Sequence, residues 1–212
     1  MNILVESRIR LVIADDHEVV REGISAILSH QPDMRVVGMA STGPDAVSLC
    51  GRREPDVALL DLHMPQTDGV ETIKQIGDVS PQTRIVVVTV YDGDEYVRRA
   101  IKAGAISYVL KSAPREDLLL AVRKAHLGLR HLSGGVVDGL AATRGEPVLT
   151  PREREVMELI AEGLSNHDVA VALNVTLRTA KAHATSIFRK LVVTDRTQAL
   201  RVALRRGIVR WM

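Results

Sequence analysis

The chain has 212 residues, of which 46% are hydrophobic and 25% charged, enough apolar surface for two globular domains with cores of their own. A single cysteine, Cys50, rules out an internal disulfide framework and a multi-cysteine metal site, and no apolar stretch reaches membrane-spanning length. The formal charge of +2 hides an asymmetry: residues 1–128 carry 15 Lys and Arg against 18 Asp and Glu, residues 129–212 carry 13 against 8.

Short β-branched runs alternate with amphipathic stretches through the first half. Strands are predicted at about residues 11–14, 36–40, 57–60, 85–89 and 106–110, with helices in the intervals and after the last strand. This alternation predicts a doubly wound α/β domain on a five-stranded parallel sheet. In such a sheet the carboxyl ends of the strands share one edge, where ligands bind. Asp15 and Asp16 end the first run, Asp61 the third, Thr89 the fourth and Lys111 the fifth. Carboxylates, a hydroxyl and an ammonium at that edge suit a hard cation together with a phosphoryl group.

After Pro114, Leu118, Leu119, Val122 and Ala125 fall at helical spacing, giving a helix that packs on the sheet. The pattern breaks from Gly128 to Val148, where Gly134, Gly135, Gly139, Gly145 and Pro147 mark a linker, with a short helical turn possible over residues 136–142. The predicted boundaries are residues 1–127, a linker over 128–148, and a second domain over 149–212.

The second half shows no strand signal and four helical segments. Thr150 with Pro151 and Glu153 reads as a capping box, and Gly163 ends that helix. Ser165 caps a second short helix, Asn174 supplies a turn residue able to adopt a left-handed backbone, and Thr176 and Asp195 cap the third and fourth helices. Two helices joined by a tight turn in a small all-α domain predict a helix-turn-helix whose third segment is the recognition helix. From Arg178 onward nine basic residues stand against Asp195 alone, the charge balance of a surface that meets a polyanion.

Together these residues resemble a response regulator of the NarL/FixJ family: a flavodoxin-like receiver domain followed by a LuxR-type DNA-binding domain. The receiver resemblance rests on Asp15-Asp16-His17, on Asp61 with Met64, Pro65, Asp68 and Gly69, and on Thr89, Tyr108 and Lys111. For the second domain it rests on residues 149–155, residues 163–166, Lys181, His183 and Arg189-Lys190-Leu191.

The resemblance implies a transcription factor switched by phosphorylation, with Asp61 as phosphoacceptor for a partner histidine kinase. Mg²⁺ is implied as the cofactor, held by Asp16, Asp61 and the backbone carbonyl of His63, with Asp15 acting through a water. Lys111 would hold Asp61 and later a phosphoryl oxygen, while Thr89 and Tyr108 would move inward as the switch. Beyond self-catalysed phosphoryl transfer to Asp61 and hydrolysis from it, no enzyme activity is expected. His63 and Tyr91 stand two residues after the phosphoacceptor and the switch hydroxyl, and are expected to shield the acyl phosphate from water.

On the recognition helix, Lys181, Ala182 and Thr185 match positions that meet base edges, and Thr179, His183, Arg189 and Lys190 are expected at phosphates of double-stranded promoter DNA. The implied assembly is a homodimer formed on activation through the fourth helix. The implied location is a reducing cytoplasm, with no membrane partner.

Two departures stand out. Val192 replaces the usual glycine after the recognition helix, which predicts an altered or strained exit. Ala180, Ala182 and Ala184 replace larger β-branched residues. Two other readings stay open at this point: a phosphatase working through an aspartyl phosphate, although His63 stands where its second Asp is needed, and a constitutive DNA-binding protein whose receiver only dimerises.

Overall fold

In a computed structural model of the chain, residues 8–65, 67–137 and 148–209 are described. Most of residues 8–137 form one compact unit, and residues 148–209 belong to another. The first unit runs β1 (Ile9–Ala14), α1 (Glu18–Ser29), β2 (Met34–Ala40), α2 (Gly43–Arg53) and β3 (Val57–Leu60). A hairpin of β4 (His63–Met64) and β5 (Thr67–Asp68) follows, then α3 (Gly69–Val79), β6 (Arg84–Thr89), α4 (Asp94–Ala103), β7 (Ala105–Leu110), α5 (Arg115–His126) and β8 (His131–Leu132).

The main sheet is parallel, in the order β2-β1-β3-β6-β7-β8. The five expected strands are present, so the doubly wound reading of this unit holds. The sixth, β8, corrects the strand count, and with the turn at residues 134–137 it places the beginning of the predicted linker inside the first unit. A two-residue strand has too short an alternation to be seen as a pattern. The rest of the predicted 136–142 turn, from residue 138 on, lies outside the described residues.

Both sheet faces are covered, which is why the strands read as continuous apolar runs. Leu11, Ile13, Val57, Leu59, Val86 and Val109 pack with Ile24 and Leu28 of α1 and with Leu118, Leu119 and Val122 of α5. Val12, Ala58, Leu60 and Val87, alternating with them, are buried as well. Each such aliphatic side chain contributes roughly 1.5–3 kcal/mol by leaving water. Cys50 is buried too, and burial pushes its thiol up to about 12, so it behaves as an inert small hydrophobe.

The second unit contains α6 (Pro151–Ala161), α7 (Asn166–Ala172), α8 (Leu177–Lys190) and α9 (Arg196–Arg206). The expected caps form: Thr150 and Glu153 make a reciprocal capping box, Ser165 makes one with Asp168, and Thr176 and Asp195 accept from backbone amides in the first turns of α8 and α9. Val156, Met157, Ile160, Val169, Ala180, Ala184 and Ile187 build its core. Ala180 and Ala184 of α8 are buried within this core. Asn174 is left-handed, as its place in the turn requires, and so is Val192, with φ of 55°. The second case is the strained exit that the missing glycine foretells, since a β-branched residue adopts this backbone only at a cost.

Candidate functional site

Asp15 follows β1 and Asp61 follows β3. Parallel pairing of these strands places the two carboxylates side by side, and the Asp61 amide extends the ladder by donating to the Ala14 carbonyl at 2.9 Å. Thr89 ends β6 and Lys111 follows β7, with the Lys111 amide donating to the Thr89 carbonyl at 2.7 Å. Four strand ends therefore meet at one edge. Lys111 Nζ lies 2.6 Å from Asp15 Oδ2 and 2.6 Å from Asp61 Oδ2. Burial, the largest influence on Lys111, pulls its pKa down, but the hydrogen bonds to Asp15 and Asp61 outweigh it and hold the ammonium above its ordinary range.

Asp15 and Asp61 are almost fully buried. Ligand atoms of Asp15, Asp16, His17 and Asp61 all lie within 4.8 Å of one another. One ammonium cannot balance three carboxylates, and removing unbalanced charge from water is costly. The oxygen-rich donor set and the missing positive charge both fit Mg²⁺, which takes one or two carboxylates and keeps several waters. His17 joins the cluster through Nδ1, 2.8 Å from Asp16 Oδ1, and its backbone amide donates to Asp15 Oδ1 at 3.0 Å. Arg21 of α1, which sequence reasoning missed, donates to the Asp15 carbonyl at 2.7 Å and so braces the loop carrying the acidic pair. A basic residue one helical turn into α1 gave no signal of this contact.

The hairpin after Asp61 explains the rest of the motif. The His63 amide donates to Asp61 Oδ1 at 3.3 Å, Asp68 caps α3 through the Val70 amide, and Arg99 of α4 reaches Asp68 at 2.9 Å. Gly69 is needed because a Cβ there would lie 2.5 Å from the Leu62 Cα. The His63 and Tyr91 rings stack with centroids 4.0 Å apart and planes at 29°. The Thr89 hydroxyl is buried with no hydrogen-bond partner, an arrangement that a phosphoryl oxygen would satisfy. Tyr108 is fully buried, its hydroxyl donating to the Tyr91 carbonyl at 2.7 Å. Tyr108 therefore sits inward, its hydroxyl satisfied by a backbone acceptor.

In the second unit, Lys181, Ala182, Thr185 and Arg189 are exposed on α8 at the spacing of one helix face. Thr179 and His183 are half-buried beside them. The Thr179 hydroxyl pairs with that of Thr176 at 2.8 Å, and the Thr185 hydroxyl turns back to the Lys181 carbonyl at 3.0 Å. Lys190, expected at a phosphate, is engaged within its own domain. Its Nζ is held 2.6 Å from Glu153 Oε2 and 3.2 Å from the Val148 carbonyl, so it ties the end of α8 to the start of α6. Glu153 also accepts from Ser186 at 2.7 Å. Burial alone would raise the Glu153 pKa, but Lys190, the Thr150 amide and Ser186 outweigh it and bring it down to about 2.

Comparison with known proteins covers both units. The response regulator receiver domain matches residues 11–123, and the luxR family of bacterial regulatory proteins matches residues 147–203. The chain is 38% identical to an uncharacterized transcriptional regulatory protein, YxjL of Bacillus subtilis, over 96% of this chain and 99% of the relative. It is 39% identical to the response regulator protein VraR of Staphylococcus aureus, over 95% and 99%. Among solved structures it is similar to RcsB of Salmonella enterica serovar Typhimurium bound to promoter DNA with the phosphomimetic BeF3⁻, with a TM-score of 0.74, 27% identity and coverage of 92% and 98%. Two RcsB dimers bound to two parallel DNAs give a TM-score of 0.72 at 26% identity, covering 94% and 99%. The chain belongs to the response regulators of the NarL/LuxR type, transcription factors that join a receiver domain to a LuxR-type helix-turn-helix DNA-binding domain.

Proposed function

We propose that Asp61 is the phosphoacceptor of this regulator and that its phosphorylation by a partner histidine kinase controls binding to promoter DNA. The observation that carries this reading is the single ammonium of Lys111 shared at 2.6 Å by Asp15 and Asp61, beside the unpartnered hydroxyl of Thr89. An Asp61 carboxylate oxygen forms the new O–P bond as the donor's bond to phosphorus breaks, the electron pair leaving with the donor. Asp15, Asp16, Asp61 and the His63 carbonyl are the groups that would hold Mg²⁺, which supplies charge neutralisation when bound. Lys111 neutralises a phosphoryl oxygen, Thr89 donates its hydroxyl to another, and Tyr108, whose hydroxyl donates to the Tyr91 carbonyl, is the switch residue that responds to Thr89. His63 and Tyr91 restrict water access to the acyl phosphate.

In the DNA-binding domain, Lys181, Ala182 and Thr185 face base edges, while Thr179, His183 and Arg189 meet phosphates. Lys190 acts by fixing the end of α8 through Glu153. RcsB dimers on DNA support a homodimer as the active form. A cytoplasmic location fits this chemistry, and among the described residues no helix is long and apolar enough to cross a membrane. Intact-mass measurement after incubation with Mg²⁺ and acetyl phosphate tests the acceptor. Wild type gains one phosphoryl group and Asp61→Ala gains none; equal labelling of both would place the acceptor elsewhere.

A further inference from the structure

The chain leaving α5 folds back on the strand that carries Tyr108. In β8, His131 and Leu132 lie opposite Ser107 and Tyr108. The Ser133 amide donates to the Tyr108 carbonyl at 3.0 Å, the Leu110 amide donates to Ser133 Oγ at 3.3 Å, and the His131 amide donates to Ser107 Oγ at 3.1 Å. His131 Nε2 lies 2.6 Å from Asp117 Oδ1 on α5. Ser107, Ser133 and Val136 are buried. Two serine hydroxyls thus complete a ladder that the two-residue strand cannot make alone, and the His131–Asp117 contact and a buried valine hold its ends.

This segment is also connected to the phosphoacceptor. From Asp61 Oδ1 the contacts run through the His63 amide, the stacked rings of His63 and Tyr91, the bond from the Tyr108 hydroxyl to the Tyr91 carbonyl, and the bond from the Ser133 amide to the Tyr108 carbonyl. We propose that residues 129–137 are a strap whose docking on β7 is coupled to phosphorylation at Asp61 through Tyr91 and Tyr108. The proposal rests on the reading of Asp61 as phosphoacceptor. Phosphorylation engages Thr89 and Lys111, at the ends of β6 and β7, and steadies the position of Tyr108 that β8 binds. A docked strap removes nine residues from the chain that joins the two domains, about 30 Å of extended reach. The strap therefore sets the length of the tether to the DNA-binding domain, and with it the effective concentration of one domain near the other.

Hydrogen–deuterium exchange on the full chain with Mg²⁺, with and without acetyl phosphate, tests the coupling while intact mass reports phosphorylation separately. Exchange over residues 129–137 is expected to slow about fivefold or more in the phosphorylated protein, the lower end of ordinary coupling between sites. Because coupling is reciprocal, Ser133→Ala, which frees the strap, should weaken beryllium fluoride binding at Asp61 by the same factor. His131→Ala, which leaves β7 untouched, should weaken it in the same direction. A mass gain with unchanged exchange overturns the strap, as does faster exchange in both variants with unaltered beryllium fluoride affinity. Failure to gain mass overturns the phosphoacceptor reading itself, and the strap falls with it.

Discussion

The receiver pocket and the exposed face of α8 present their side chains in opposite ways. In the pocket, Asp15, Asp61, Thr89 and Lys111 come from four strand ends, and the two carboxylates are buried against one ammonium. On α8, Lys181, Ala182, Thr185 and Arg189 come from one helix and face solvent. A buried convergent site stores unbalanced charge and is ready to respond to a cation or a phosphoryl group. An exposed helix face stores none, and its output depends on how firmly the helix itself is held. That firmness comes from Lys190 and Glu153, on the side of α8 turned to its own domain.

The contrast predicts where substitutions act and how strongly. Lys111→Ala should slow acetyl-phosphate labelling of Asp61 by about a hundredfold to a thousandfold, the cost of losing one organised charge partner, with little change in the melting of the DNA-binding domain. Lys190→Ala should do the reverse. It leaves Glu153 buried without its cation and should cost the DNA-binding domain about 3 kcal/mol by denaturant unfolding, with Asp61 labelling unaffected.

The same pair fixes an acid limit. The Glu153 carboxyl lies below its ordinary 4.5, at about 2, so its contribution is complete above 4.5 and is lost as pH falls towards about 2. Thermal unfolding of the DNA-binding domain should therefore lose stability across that window, and Glu153→Gln should flatten the loss.

Smaller effects sharpen the comparison. Replacing both His63 and Tyr91 by alanine should shorten the acyl phosphate lifetime by about tenfold under the proposed shielding by their stacked rings. An unchanged lifetime would remove the shield from the account. Arg189→Ala should weaken binding to all DNA sequences alike and lower the salt slope by about one, as expected for a phosphate contact. Val192→Gly should stabilise the DNA-binding domain by about 1 kcal/mol, because glycine accepts the 55° φ without strain.

Legibility in the sequence followed the same division. Asp15, Asp61, Thr89 and Lys111 were readable because β-branched runs announce strands, and parallel strands deliver their ends to one edge. The caps at Thr150, Ser165, Thr176 and Asp195 were readable because capping is local. Val192 was readable as a misfit for the same reason. β8 was not, since it depends on Ser107 and Ser133 supplying bonds across 24 and 23 residues of chain. The commitment of Lys190 to Glu153 was not either: helical spacing says which residues share a face, but not which tertiary partner claims the one at its margin. Arg21 was hidden because its partner is a backbone carbonyl.

The most direct test of the central claim measures DNA binding and oligomeric state of wild type and Asp61→Ala at fixed salt, each with Mg²⁺ and with or without acetyl phosphate. The account predicts that the donor tightens binding or drives dimerisation in wild type alone. Identical binding by the two proteins under every condition would contradict it and make this chain a constitutive DNA-binding protein.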